Sequence, residues 1–228
     1  MKPYSLGPYN KVKGDEQWIR ITEGCPHNCP YCYEPQEIKV FDIPEIVRNN
    51  VKIMDMNLLC KPEATNIILQ LPKTVNGRFV KYELICGIDY RFLTQEVADV
   101  LYKVRFQNIR LAWDWFFADQ LKIKDAIKLL KKAGYKPKDI MVFMICNWRI
   151  SYEENCLKLD LLKIWGCKVA DCYFDNQFGR DKKPDWWSAK QIKSFRRKCR
   201  KHNQMINFGI DPQYKNSKRQ LLLIKEVS

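Results

Sequence analysis

Seven short runs of β-branched, aromatic and other apolar residues recur along the chain, and their spacing limits the fold more than any other feature. They lie at residues 18–22, 51–55, 82–86, 108–113, 140–145, 168–174 and 205–210. Successive runs begin about 30 residues apart, the length of one strand–helix crossover, which predicts a parallel sheet covered by helices. The residues themselves do not repeat, so the pattern is an architecture and not a solenoid. With 228 residues the chain fits one domain and falls short of an eight-unit (β/α) barrel, which takes roughly 250.

Helical signals fill the intervals. Thr94 precedes residues 95–103, where Val97, Ala98 and Leu101 form an apolar stripe, and a threonine there predicts an N-cap. Asp119 is placed to cap a helix running to Lys132, with Gly134 at its C′ position. Ser151 with Glu154, and Ser188 with Gln191, read as capping boxes, the first opening a helix that ends at Gly166. Polar residues follow the apolar runs at Glu23, Asp55, Asn57, Asp89, Asp114, Asn147, Asp175 and Asn176. Ligands of parallel α/β folds bind at the carboxyl ends of the strands, so these residues predict a shared cleft.

The chain has 40 Lys+Arg against 26 Asp+Glu, a net charge of +14, and 46% hydrophobic residues. That apolar content excludes a disordered chain, and no window reaches the roughly 18 uninterrupted apolar residues of a membrane span. The segment Met1-Lys2-Pro3-Tyr4-Ser5-Leu6-Gly7-Pro8 has no apolar signal-peptide core, so the expected location is the cytoplasm, with no membrane partner. In that reducing setting ten cysteines are expected as thiols or metal ligands and not as disulfides. Cys60, Cys86, Cys146, Cys156, Cys167, Cys172 and Cys199 are scattered among apolar neighbours and read as small buried hydrophobes.

The other three stand together. The first run leads into Gly24-Cys25-Pro26-His27-Asn28-Cys29-Pro30-Tyr31-Cys32-Tyr33, a C-x3-C-x2-C spacing. Three thiolates on one tight loop suit three irons of a 4Fe–4S cubane, leaving the fourth iron free to bind a small molecule. The alternative is zinc with His27 as fourth ligand, although structural zinc sites usually divide their ligands into two separated pairs.

Cys25, Cys29 and Cys32, with aromatic Tyr31 just before the last of them, directly after the first strand of a strand–helix repeat, resemble the radical S-adenosylmethionine (SAM) superfamily. The resemblance implies a partial (β/α)6 barrel in a single domain, with residues 1–17 as an N-terminal extension and 18–178 as the barrel core. Residues 179–228 would then add a basic helix and a closing strand packed on the barrel. It further implies that Cys25, Cys29 and Cys32 hold a 4Fe–4S cluster whose open iron binds SAM. Reductive cleavage of SAM would give a 5′-deoxyadenosyl radical, with an electron donor such as flavodoxin or ferredoxin as partner. Members of the family often carry Gly-Gly-Glu at the end of the second strand, facing the SAM amino group. The matching stretch here is Asp55-Met56-Asn57, which passes that role to Asp55, Asn57 or the backbone. Asp114 takes the place of a ribose-binding residue, Asn147 is placed to approach the adenosine, and Tyr31 belongs to the same cofactor-binding set. Cys156, Gly166 and Cys172 faintly resemble the start of an auxiliary-cluster extension, but the later cysteine run is missing, so no second cluster is expected.

Three further features bear on the reaction. Asp89 and Arg91 follow the third run and are the candidate catalytic or substrate-gripping pair, an ion pair within their own loop being the plainer reading. Trp113, Trp115, Phe116 and Phe117 cluster at the end of the fourth run, most as core and one or two as a stacking surface. Glu83 and Arg110 fall on the inward face of neighbouring strands and are expected to pair. Seven basic residues and no acid lie between Lys190 and Lys201, on a helix with Ile192, Phe195 and Cys199 as its apolar stripe. That run and the net charge point to nucleic acid as a partner or substrate; a peptide, a small metabolite, or a non-catalytic zinc or iron–sulfur module that binds nucleic acid are the other readings.

Overall fold

The computed structural model describes residues 5–174 and 186–209. Two four-stranded sheets form its centre. In the first, β1 (Tyr9–Lys13) pairs antiparallel with β2 (Glu16–Arg20), and β2, β5 (Asn50–Ile53) and β8 (Lys81–Leu84) follow in parallel. The second is wholly parallel in the order β9 (Ile88–Asp89), β10 (Ile109–Ala112), β11 (Ile140–Cys146), β12 (Lys168–Tyr173). Two short antiparallel pairs lie outside them, β3 (Thr22–Glu23) with β4 (Lys39–Val40), and β6 (Thr74–Val75) with β7 (Arg78–Phe79). The helices are α1 (Ala64–Gln70), α2 (Gln95–Lys103), α3 (Gln120–Ala133), α4 (Tyr152–Trp165) and α5 (Ala189–Phe208).

The two sheets are successive parts of one winding. β8 and β9 are the two halves of a single run, the first paired with β5 and the second with β10. Gly87, at φ +99°, turns the chain between them, and its N–H bonds to the Leu84 carbonyl at 3.3 Å. Parallel strands therefore succeed one another in chain order from β2 to β12. Among the described residues nothing pairs β12 with β2, so no barrel is closed. β11 reads Ile-Met-Val-Phe-Met-Ile-Cys, the unbroken apolar run that a strand covered on both faces requires. Ile19, Ile53, Ile88, Leu111 and Val142 are almost wholly buried in one continuous core.

Local chemistry explains the helices. Thr94 Oγ1 accepts the Val97 N–H at 3.2 Å, the expected cap of α2. Gly134 and Gly166 end α3 and α4 in the left-handed conformation, as helix C′ positions favour. Ser188 and Gln191 form the reciprocal box at the start of α5. Two expectations are only half met. Ser151 accepts the Glu154 N–H, but Glu154 reaches out to the Phe117 N–H. Asp119 stands at the N-cap of α3 but binds Lys122 instead of the helix backbone.

Two boundaries differ from those read in the sequence. The 1–17 extension is partly sheet, since residues 9–13 form an edge strand and 16–17 belong to β2. The strand expected over 205–210 does not form over the described residues. Residues 205–208 continue α5, and the Gly209 N–H closes on the Met205 carbonyl at 2.8 Å. The apolar residues there extend the helical stripe of Phe195, Cys199 and His202, a spacing of three and four residues that belongs to a helix and not a strand. No helix among the described residues is long and apolar enough to cross a membrane.

One charged cluster fastens the seam between the sheets. Glu83 on β8, only 2% exposed, bonds Lys52 on β5 and Arg110 on β10, and Arg110 also donates to the Ile85 carbonyl at 2.8 Å. The pairing of Glu83 with Arg110 is therefore present, with Lys52 as a third member. Removing one partner of a buried pair leaves the others uncompensated. Glu83→Ala should cost about 3 kcal/mol in a urea melt, whereas a loss under about 1 kcal/mol, the worth of a surface pair, would contradict this account.

Candidate functional site

The thiol loop leaves β3 through Gly24, at φ +92°, where an added Cβ would sit 2.0 Å from the Glu37 carbonyl oxygen. Only glycine fits that turn. The loop is then tied at its base. The Gly24 N–H bonds Glu34 Oε1 at 2.7 Å, the Cys25 N–H bonds the Pro35 carbonyl at 2.8 Å, and Lys61 Nζ donates to the Gly24 carbonyl. Within the loop the Cys32 N–H reaches the Cys29 carbonyl at 2.9 Å, and the Glu34 N–H reaches Cys32 Sγ at 3.4 Å. Beneath it, Arg20 lies 3.7 Å from Glu23 and 4.0 Å from Glu34, all three buried. Glu23 accepts Ser5 Oγ and the Leu6 and Gly7 N–H groups. Burial pushes the Glu23 carboxyl up, and these bonds outweigh it and hold it below the ordinary value.

The loop opens on a cavity of about 120 Å³ lined by all three thiols, at the carboxyl ends of the strands. Cys25 is held below the ordinary thiol value, chiefly by the neighbouring Cys60 thiol, with the His27 N–H and the Asn57 amide adding to it against desolvation. Desolvation raises Cys29 and Cys32. Among the described residues no three His, Cys, Asp or Glu side chains converge on one ion-binding point. Nor does His27 complete such a set, since its Nε2 lies 3.1 Å from Asp89 Oδ2. Three thiols facing one cavity without meeting at a point do fit a polynuclear cluster, whose cysteines each bind a different iron.

Most of the residues singled out in the sequence surround this cavity. Asn57 Nδ2 is 3.3 Å from both Cys25 Sγ and Asp89 Oδ2, while its buried Oδ1 has no hydrogen-bond partner among the described residues. Asp89 and Arg91 line the wall as a bidentate pair, with both contacts at 2.8 Å, so the ion pair within the loop exists and faces the site. Tyr31 Oη donates to Asp114 Oδ2 at 3.3 Å, and its ring packs on Trp115 and Trp148 at 5.4 and 5.9 Å. Desolvation lifts the Asp114 carboxyl to about 6, partly offset by Tyr31 and by the charge of Lys158. Trp113 is core, stacked on Trp165 at 5.8 Å, whereas Trp115 lines the cavity and Phe116 is 55% exposed.

Two others are occupied by the fold. Asp55 accepts the Ile21 N–H at 3.0 Å and Thr22 Oγ1 at 2.7 Å, fixing the strand that leads to the loop. Asn147, at φ +56°, accepts the Trp186 and Trp187 N–H groups at 3.2 and 3.0 Å and donates to the Phe174 carbonyl at 3.3 Å. Neither lines the cavity. Asp175 and Asn176 lie outside the described residues.

Sequence reasoning missed Glu34, Cys60, Lys61 and Lys158. Cys60 is buried as expected, but against Cys25. Lys158 left a legible signal, falling in the buried stripe of α4 with Asn155, Leu159 and Leu162. Its amine donates to the Trp115 carbonyl, and burial lowers it to about 8. Glu34 and Lys61 left none, because their partners are distant backbone groups.

No family model and no curated protein matches the chain. Among solved structures it is similar to the radical S-adenosylmethionine methyltransferase TsrM from Kitasatospora setae. With cobalamin and a 4Fe–4S cluster bound, that enzyme aligns at a TM-score of 0.56 and 12% identity over 68% of this chain. With tryptophan substrate and the SAM analogue aza-SAM bound, it aligns at 0.57 and 12% identity over 70%. The alignments cover 36% of that enzyme, so the chain spans about a third of the protein it matches. At this identity the likeness defines the fold, a mixed α/β architecture with parallel sheets of the kind on which TsrM is built.

Asp114 gives the site a pH signature in cluster-free protein. A carboxyl raised from 3.8 to about 6 binds its proton more tightly folded than unfolded, so its contribution to stability falls as pH rises through that window. Asp114→Asn, which keeps an acceptor for Tyr31, should gain thermal stability over the parent between about pH 4 and 6 and hold that gain above it. A difference that does not vary with pH would refute the assignment.

Proposed function

We propose that the protein is a radical SAM enzyme, built as a partial (β/α)6 barrel from β2, β5, the β8–β9 run, β10, β11 and β12. The observation that carries this reading is the C-x3-C-x2-C loop, whose three thiols line one cavity at the strand ends of a fold shared with TsrM. In this reading Cys25, Cys29 and Cys32 hold a 4Fe–4S cluster. When bound with SAM, that cluster supplies the electron that cleaves it to methionine and a 5′-deoxyadenosyl radical.

The chain's own residues position and shield the reactants. Asn57, Asp89 and Arg91 give the wall nearest Cys25 its polar character and face the methionyl end of SAM. Asp114, largely ionised at neutral pH, accepts a ribose hydroxyl while Tyr31 holds its other oxygen. Lys158 fixes the Trp115 carbonyl from behind, so Tyr31 and Trp115 stand as an aromatic wall that excludes water from the cavity. Asp55 and Asn147 act on the cofactor only through the backbone they hold. A cytoplasmic location fits the seven cysteines outside the loop, all free thiols, and a flavodoxin- or ferredoxin-type donor would supply the electron.

Anaerobic reconstitution tests the reading. Parent protein should bind about four irons and release 5′-deoxyadenosine from SAM on reduction. Cys25→Ala, Cys29→Ala and Cys32→Ala should each lose most of that iron, and Cys199→Ala none of it. Colourless protein carrying one zinc would overturn the proposal.

A further inference from the structure

The strongest charge feature of the molecule lies away from the thiol cavity, on α5. Lys190, Lys193, Arg196, Arg197, Lys198, Arg200 and Lys201 are all exposed, while Phe195, Cys199 and His202 face the core. At about 100° per residue, all but Lys198 fall within an arc of roughly 140° opposite the buried stripe. Among the described residues none of the seven has an ion-pair partner within 4.0 Å. Cations held in no direct ion pair leave this face open to an external anion.

Two observations give that face a shape. Lys193, Arg196 and Arg200 line a cavity of about 640 Å³ between α5 and β12, with Asp171 as the one acid among the described lining residues. The guanidinium of Arg196 lies 4.3 Å from the centre of the Tyr173 ring, which directs it along the helix flank. Just before the helix, Trp186 is 51% exposed and packs edge-on against Trp148 at 6.1 Å. Trp148 in turn lies against Tyr31 of the thiol cavity, and its buried indole N–H has no hydrogen-bond partner among the described residues. Cations along a flank, with one exposed aromatic ring, Trp186, beside them, are what a single-stranded nucleic acid needs for its phosphates and an unpaired base.

We propose that α5 binds single-stranded nucleic acid, with Lys193, Arg196 and Arg200 on the phosphate backbone and Trp186 stacking an unpaired base. The net charge of +14 favours this occupant over an acidic peptide, since a polymer with one charge per nucleotide matches three cations placed in succession along one flank. Binding stands by itself. Delivery of the base past Trp148 to the thiol cavity rests on the function proposed above.

The test is fluorescence anisotropy of the full chain with labelled single-stranded RNA and DNA of mixed sequence, between about 50 and 200 mM salt. Affinity should fall steeply with salt. The triple variant Lys193→Ala, Arg196→Ala, Arg200→Ala should lower the log–log salt slope by about 2, at roughly 0.7 for each lost single-strand phosphate contact. An equal charge removed from α3, by Lys124→Ala, Lys131→Ala and Lys132→Ala, should leave the slope unchanged. Trp186→Ala should weaken binding about five-fold or more at constant slope, and duplex should bind less well than single strands. Cys29→Ala should bind like the parent, so a failed cluster assignment and a failed binding site are read separately. The proposal is overturned by no binding near 50 mM salt, by equal losses from the α3 and α5 triples, or by binding to phosphatidylglycerol vesicles but not to oligonucleotides.

Discussion

The proposed radical chemistry depends on buried charges holding a loop of three cysteines still. Arg20 faces Glu23 and Glu34 under the loop, Lys61 holds the Gly24 carbonyl, and Asp55 fixes the strand behind it. Each carboxylate is committed to backbone N–H groups, of Leu6 and Gly7, Gly24, and Ile21 respectively. Buried carboxylates are tolerable only when bonded or paired; Glu34 Oε2, with no hydrogen-bond partner among the described residues, is met by Arg20 at 4.0 Å. Gly24 fits its turn because it lacks a side chain, and Glu34 and Lys61 grip its two backbone polar groups from opposite sides. A helix or strand would have held thiols at fixed periodic spacings; a pinned loop turns all three toward one cavity.

The open sheet makes a second demand. With no pairing from β12 back to β2 among the described residues, the strand ends are held in place by side chains. Glu83 joins β5, β8 and β10 from within. Asn147 joins the end of β11 to the segments that lead out of β12 and into α5. Both are polar residues in places where an apolar side chain would give more burial. Glu83 thereby links β8 to β10, which no ladder of the two sheets pairs directly.

The fold was legible in the sequence where its causes are local. Strand runs, the Thr94 cap, the Ser188–Gln191 box and the glycine stops depend on residues a few positions apart, and they appear nearly as read. The thiol loop was legible for the same reason, since its three cysteines lie within eight residues of one another. Asp55 and Asn147 were located correctly at strand ends, but their partners come from 27 to 40 residues away, and no periodicity reports which groups claim them. The misread strand at 205–210 had apolar residues that serve either period, and the core beneath α5 decided between them.

The most direct test of the central claim is the electron paramagnetic resonance of reduced, iron-reconstituted protein with and without SAM. A cluster held by Cys25, Cys29 and Cys32 with one open iron should give the signal of a reduced 4Fe–4S centre whose g-values shift when SAM is added. A signal that SAM leaves unchanged, or protein that yields no cluster signal at all, would contradict it.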